Sequence, residues 1–179
     1  MLENPYYRMS FDEYRLPSGG VGQYTYVDIP GSTMVVPERA DGRLVLVRQY
    51  RYLMARPSLE FPAGGLPLGR DPLDNARREL HEEAGLEAGA WTKLGEFAPY
   101  NGVSNEMCHV YHAADLREIA TAPEPTEEIE VHVLSLEELH DQIDRGDVWD
   151  GMTLASLLVY EGWKRRVSGY PAPPDGRRS

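Results

Sequence analysis

The sequence predicts an α+β or α/β sandwich, and three observations predict it. Short alternating or apolar runs bounded by turn residues recur before and after residue 70, as strands do. Between them, Leu73, Ala76, Leu80 and Ala84 return at three- and four-residue spacing, which is the period of a helix with one buried stripe. Two further helical patterns close the chain, one opening on Ser135-Leu136-Glu137-Glu138 and one carrying Leu154, Leu157, Leu158 and Val159.

Taken in order, Pro17-Ser18-Gly19-Gly20 is a turn, and residues 23–29 alternate while carrying Tyr24, Tyr26 and Val27. Pro30-Gly31 breaks the chain ahead of the run Thr33-Met34-Val35-Val36. Asp41-Gly42 is a tight-turn pair, followed by the strand pattern of residues 43–50. Gly64-Gly65 and Pro67 interrupt regular structure. Asp71 then stands where a helix cap belongs, Pro72 suits the first helical position, Asp74 is placed to return the cap, and Gly85 to end the helix in a left-handed turn. Further strands fall at 91–97, 107–113 and 129–134, and the last helix runs from Gly151 to about residue 166. The organisation expected is an N-terminal strand region over 1–40 used for dimerisation, a main domain over 41–168, and a mobile tail over 169–179, which is rich in Pro, Gly and Arg.

At 179 residues the chain is long enough to bury ~70% of its unfolded surface without disulfides. Cys108 is its only cysteine, so a disulfide framework is excluded and a reducing, cytoplasmic setting is expected. Its apolar neighbours mark Cys108 as a buried structural residue. No run approaches the ~20 apolar residues that span a bilayer, and the first residues lack a signal-peptide core, so no membrane partner is expected. A net charge of −11 argues against nucleic acid, whose backbone calls for clustered Lys and Arg. A small phosphorylated compound is compatible with it, because one or two phosphates can be met locally.

The chemistry concentrates in residues 64–86, where Arg78-Glu79-Leu80-His81-Glu82-Glu83 sets three carboxylates near one helix face. Such a cluster opposes folding unless a cation sits on it. Oxygen-only donors suit Mg²⁺ or Mn²⁺ rather than zinc. A solvated acidic helix is the plainer explanation of a charge run. His81, inside the cluster, is expected to be exposed rather than catalytic.

This segment resembles the Nudix box, in which Gly, five residues, Glu, seven residues, Arg-Glu, an aliphatic, any residue, Glu-Glu, any residue, Gly and an aliphatic follow one another. Gly64, Arg78, Glu79, Leu80, Glu82, Glu83, Gly85 and Leu86 match in register. One position departs: Arg70 stands where the pattern has its first Glu, a supporting residue often paired to the box arginine, and Asp71 is the nearest replacement. The flanking Val47-Arg48-Gln49-Tyr50-Arg51 and Leu59-Glu60-Phe61-Pro62-Ala63-Gly64-Gly65 resemble elements of the ADP-ribose pyrophosphatase and nucleoside-diphosphate-sugar hydrolase branch, as does the Pro99 loop through Glu106.

The resemblance implies a Nudix α/β/α sandwich around a mixed sheet and a Mg²⁺-dependent hydrolysis, with Mn²⁺ as the other metal, that splits ADP-ribose or a related nucleoside diphosphate sugar into a nucleoside monophosphate and a sugar phosphate. It implies metal held by Glu79, Glu82, Glu83 and the Ala63 carbonyl. Arg48 and Arg51 would contact the diphosphate, Glu60 the ribose or base, and Gly64 would let backbone approach ligand. A surface ion pair for Arg51, an edge-strand charge for Glu60 and an ordinary turn for Gly64 are the plainer explanations. The catalytic base would come from the loop Pro123-Glu124-Pro125-Thr126-Glu127-Glu128, with Glu127 aligning best, Glu128 and Glu124 behind it, and Glu79 as a competitor. The branch also implies a homodimer built on exchanged N-terminal strands. Tyr6, Tyr7, Tyr14, Tyr24 and Tyr26 suit a dimer surface, stacking on adenine, or plain core packing. Two other activities stay open: hydrolysis of a dinucleoside polyphosphate, and a weakened Nudix fold that only binds a nucleotide sugar.

Overall fold

A computed structural model describes residues 4, 6–120 and 129–169. In chain order its elements are β1 (Arg8–Arg15), β2 (Val21–Asp28), β3 (Ser32–Pro37), β4 (Leu44–Arg51), a 3₁₀ turn (Tyr52–Met54), β5 (Arg56–Glu60), β6 (Ala63–Gly65), α1 (Pro72–Ala84), β7 (Leu86–Phe97), β8 (Cys108–Glu118), β9 (Glu130–Leu134), α2 (Leu136–Arg145) and α3 (Gly151–Val167).

The strands form a mixed sheet in the order β6-β3-β8-β7, an antiparallel sheet β5-β4-β9, and the separate hairpin β1-β2. Among the described strands, β3 and β8 pair in parallel and the other pairings are antiparallel. β3 is buried along its whole length, and β8 through its first half, because both are covered on two faces there. Val35, Val45 and Val47 pack with Ala76, Leu80 and Ala84 of α1, whereas Met34, Val36, Leu44 and Leu46 pack with Leu139, Leu157 and Tyr160 of α2 and α3. Strand alternation therefore feeds two cores, and the result is the α/β/α sandwich.

Several elements differ from the sequence pattern, each for a tertiary reason. Residues 86–90 have weak strand character on their own, but pairing of Leu86 with Glu118 and Ala88 with Leu116 extends β7 back to the end of α1. Gly64-Gly65 reads as a break in regular structure, yet it falls in the short strand β6, paired to β3, with β5 on the other side of Pro62 paired to β4. β3, counted with the N-terminal strands by sequence, lies buried inside the mixed sheet, and only β1-β2 stands apart. An isolated hairpin is marginal in water, and this one leans on the Pro99 loop. Val27 N–H donates to the Val103 carbonyl at 2.8 Å, Tyr24 Oη to the Gly102 carbonyl at 2.9 Å, and Asn105 bridges Ile29 and Asp28. Its outer residues Met9, Phe11 and Tyr14 remain exposed. The expected tail from residue 170 onward lies outside the described residues.

Candidate active site

Helix α1 is built as its sequence suggests at both ends. The Asp71 carboxylate accepts from the Leu73 and Asp74 amides at 2.9 and 3.2 Å, Pro72 follows it, and Gly85 closes the helix with φ 62°. The Asp74 carboxylate does not return the cap but takes Arg77 Nη1 at 3.0 Å. Both amides bond Asp71 Oδ1, which leaves Oδ2 as the only oxygen of Asp71 that could stand in for the carboxylate missing at Arg70. Arg70 itself is exposed.

Along α1 the apolar stripe carries two of the three cluster carboxylates inward with it. Glu79 and Glu83 are only 6% exposed, and Glu82 lies nearer the surface. Strand β6 runs beside them: Ala63 N–H donates to Glu83 Oε2 at 2.9 Å, and Glu79 rests directly on the Cα of Gly64. A Cβ at Gly64 would lie 2.0 Å from Glu79 Oε1, so only glycine lets this strand and this carboxylate coexist. The Gly64 position thus belongs to protein packing around Glu79. Asn75, fully buried one turn earlier, donates through Nδ2 to Thr33 Oγ1 at 2.9 Å and the Gly65 carbonyl at 3.2 Å. It pins the helix to β3 and β6. Asn75 lies outside the box pattern, and its signal in the sequence is a polar residue four before Glu79 on the buried side of the helix.

Part of the cationic charge the cluster needs comes from the chain itself. Arg78 reaches Glu79 through Nη2 and Glu82 through Nη1, and touches Asn75 Oδ1 at 3.2 Å. Among the described residues no three His, Cys, Asp or Glu side chains converge as metal ligands. The donor set nonetheless fits a hard divalent cation in its chemistry: three carboxylates and the carbonyl-bearing Ala63, all oxygen, on two adjoining segments.

Arg51 and Glu60 are brought together in a two-pronged ion pair across β4 and β5, with Glu60 2% exposed on the edge strand. Glu60 holds the Arg51 guanidinium above its ordinary pKa against burial, and the charges of Asp150 and Glu83 add to it. Arg48 is not brought there. Side chains three apart on a strand point to opposite faces, so Arg51 follows Val47 toward α1 while Arg48 follows Leu46 toward α2. The two arginines do not form one clamp within a chain.

Glu124, Glu127 and Glu128 lie outside the described residues. The chain on either side of them is anchored beside α1: the Ala120 carbonyl meets His81 Nε2 at 3.0 Å, and Ile129 packs with the α1 core. His81 is accordingly half-buried, not exposed as expected, and its ring is occupied by that backbone contact. Cys108 is fully buried, and burial pushes its thiol up to about 12, as a structural cysteine requires.

Comparison with known proteins agrees with this arrangement. The NUDIX domain model matches residues 29–157. The ADP-ribose pyrophosphatase of Bacillus subtilis (strain 168) is 31% identical over 148 residues, covering 82% of this chain and 80% of that protein. The methanol dehydrogenase activator of Bacillus methanolicus is 31% identical over 152 residues, covering 84% and 82%. A solved structure described as an ADP compounds hydrolase superposes with a TM-score of 0.80 at 19% identity, over 96% of this chain and 92% of that one, and so speaks for the fold. With its box in register, its carboxylates gathered on α1 and most of its length matched, the chain belongs to the Nudix family, as a pyrophosphohydrolase of the ADP-ribose pyrophosphatase-like branch.

Proposed function

We propose that the protein hydrolyses the pyrophosphate bond of ADP-ribose or a related nucleoside diphosphate sugar with Mg²⁺, or Mn²⁺ in its place, releasing a nucleoside monophosphate and a sugar phosphate. The observation that carries this reading is the packing of Glu79 and Glu83 against β6, which holds two carboxylates almost out of water on the backbone of residues 63–64. Burying two like charges is unfavourable, and a site that does so is paired with cationic ligand.

Glu79, Glu82, Glu83 and the Ala63 carbonyl would hold the metal. Bound there, a divalent ion polarises the phosphoryl group and acidifies an attacking water. The chain's own residues do the remaining work. Gly64 sets the Glu79 carboxylate against β6, Asn75 fixes the helix register, and Arg78 orients Glu79 and Glu82. Arg51, which feels the charge of Glu83 on the same side of the sheet, meets the diphosphate, while Glu60 orients Arg51 and accepts from the ribose or base. Glu127 takes the proton of the attacking water, on a segment whose flanks are tied to α1 by Ala120 and Ile129. The exposed apolar face of β1-β2 supports a homodimer, the sole buried cysteine supports a cytoplasmic setting, and Arg48 is left outside the reaction of a single chain.

One observation favours a second reading, a weakened nucleotide-sugar binder: Arg70 offers no carboxylate to Arg78, which instead lies on Glu79 and Glu82. A metal-dependent screen of nucleoside diphosphate sugars and dinucleoside polyphosphates, with products identified, separates the readings. Release of AMP from ADP-ribose, or of a nucleotide from another sugar nucleotide, supports the proposal. Binding without turnover across the panel overturns it.

A further inference from the structure

We infer that the cavity on the α2 side of the β5-β4-β9 sheet is a second ligand site, built for a nucleoside monophosphate. The cavity measures about 370 Å³, and its walls include Arg48, Arg56, His132, Trp149, Leu134 and Asp147. It lies across the sheet from the acidic helix, so the inference does not rest on the catalytic reading.

Two cations meet here without carboxylate partners among the described residues, in a protein of net charge −11. Arg48 faces Glu130 directly across the β4-β9 ladder, yet makes no ion pair or hydrogen bond among the described residues. The Glu130 carboxylate stands instead 3.4 Å from His132 Nε2. That nitrogen is buried and has no hydrogen-bond partner among the described residues. A buried ring nitrogen left unbonded is costly, and it invites an acceptor or donor from outside. The Arg56 guanidinium lies 4.0 Å over the Trp149 ring, whose orientation is fixed by a 3.0 Å bond from Nε1 to the Pro57 carbonyl. A stacking pair alone would account for Arg56, but it leaves Arg48 and the His132 nitrogen unexplained.

Two guanidiniums on one wall match the oxygens of a phosphate, which Arg binds in pairs, and the His132 imidazole stands beside them with Glu130 at 3.4 Å. The fixed indole carries the exposed Arg56 guanidinium flat on its face, and a base can stack on the outer side of that guanidinium. Asp147, the one carboxylate lining the cavity, would repel phosphate and suits ribose hydroxyls or ring amines at the other end. The volume sits at the low end of the about 300–1,000 Å³ typical of small-molecule pockets, which favours a mononucleotide over a nucleoside diphosphate sugar.

The test titrates AMP into the full chain in the presence of EDTA and follows the indole N–H resonances of Trp91, Trp149 and Trp163, with Trp149→Phe identifying the one of interest. Saturable movement of the Trp149 resonance alone is expected, weakened roughly tenfold or more by Arg48→Gln and by Arg56→Gln, both at exposed positions that fold normally. Inorganic phosphate and adenosine, added singly, should each bind far more weakly than AMP. The inference is overturned if Trp149 does not respond at millimolar AMP, if both arginine variants retain wild-type affinity, or if phosphate alone binds as tightly as AMP.

Discussion

Gly64→Ala isolates the contact on which the acidic site is assembled. The Gly64 backbone does not lie in the left-handed region, so alanine brings no dihedral strain, and the whole effect comes from where the new methyl falls. It would stand 2.0 Å from Glu79 Oε1, 2.2 Å from Cδ and 2.6 Å from Oε2, where contacts closer than 3.0 Å essentially never occur. The carboxylate must retreat by about 1 Å, yet Glu79 is held by Arg78 and closed off from solvent. Overpacking of this kind costs about 1–3 kcal/mol, against which reduced freedom of the unfolded chain returns about 0.4–1 kcal/mol. The centre of these ranges, a net loss of about 1.3 kcal/mol, corresponds to a Tm lowered by roughly 3–5 °C for a domain of this size. A 1 Å displacement of a reacting group can cost on the order of 10²-fold in turnover. Urea or thermal unfolding of Gly64→Ala, Glu79→Ala and the double variant reads the coupling directly: the alanine at 64 should cost little once the Glu79 carboxylate is gone. Gly65→Ala, with open space around its Cβ, is the matched control and should be nearly neutral. An equal penalty for Gly64→Ala with and without Glu79 would refute the reasoning.

Other perturbations follow from the same geometry. Arg51→Gln leaves the Glu60 carboxylate buried without its partner; since Arg51 itself is 44% exposed, the cost is about 1–3 kcal/mol by urea unfolding, and Glu60→Gln in the same chain should recover most of it. Across the sheet, burial depresses the His112 pKa. Burial alone would raise the Glu38 carboxyl, but bonds from Lys164, His112 and Tyr160 outweigh it and hold that carboxyl low. Both folded pKa values lie below their unfolded ones, so both contributions are present near neutrality and are lost as pH falls, His112 from about 6.5 downward and Glu38 through the carboxylate range. The loss in urea midpoint between pH 7 and pH 5 should therefore be smaller in His112→Gln than in the wild type; an equal or larger loss would contradict it. Arg70→Glu, at an exposed position within reach of the box pattern, should draw Arg78 from Glu79 and Glu82 and tighten Mg²⁺ binding measured by calorimetry, and an unchanged affinity would show that Arg78 does not compete with metal.

Most of the architecture was legible because each strand and helix carries its own local signal. The apolar run of β4, the Asp71-Pro72 start of α1 and the Ser135 capping box, in which Ser135 and Glu138 bond each other's backbone, all appear where the residues place them. What stayed hidden depends on pairing between distant segments. β6 is three residues long and exists because β3 lies beside it, and the first residues of β7 exist because β8 continues past Ala113. The same holds at the site. The Glu79, Glu82 and Glu83 cluster is local, and its face could be counted from helical period. That Arg48 and Arg51 part company follows from strand period just as simply, but the sequence motif presents them as neighbours. The closeness of Glu79 to Gly64, and the role of Asn75 in holding α1 to β3, require the fold.

The measurement nearest the central claim is AMP released from ADP-ribose at saturating Mg²⁺ by the wild-type protein and by Glu82→Gln, with urea unfolding run on both. Turnover that disappears with EDTA and falls by orders of magnitude in the variant, while the variant unfolds at the same or higher urea, is the predicted result. Near-normal turnover by Glu82→Gln at saturating Mg²⁺ would contradict the assignment of the metal to the acidic face of α1.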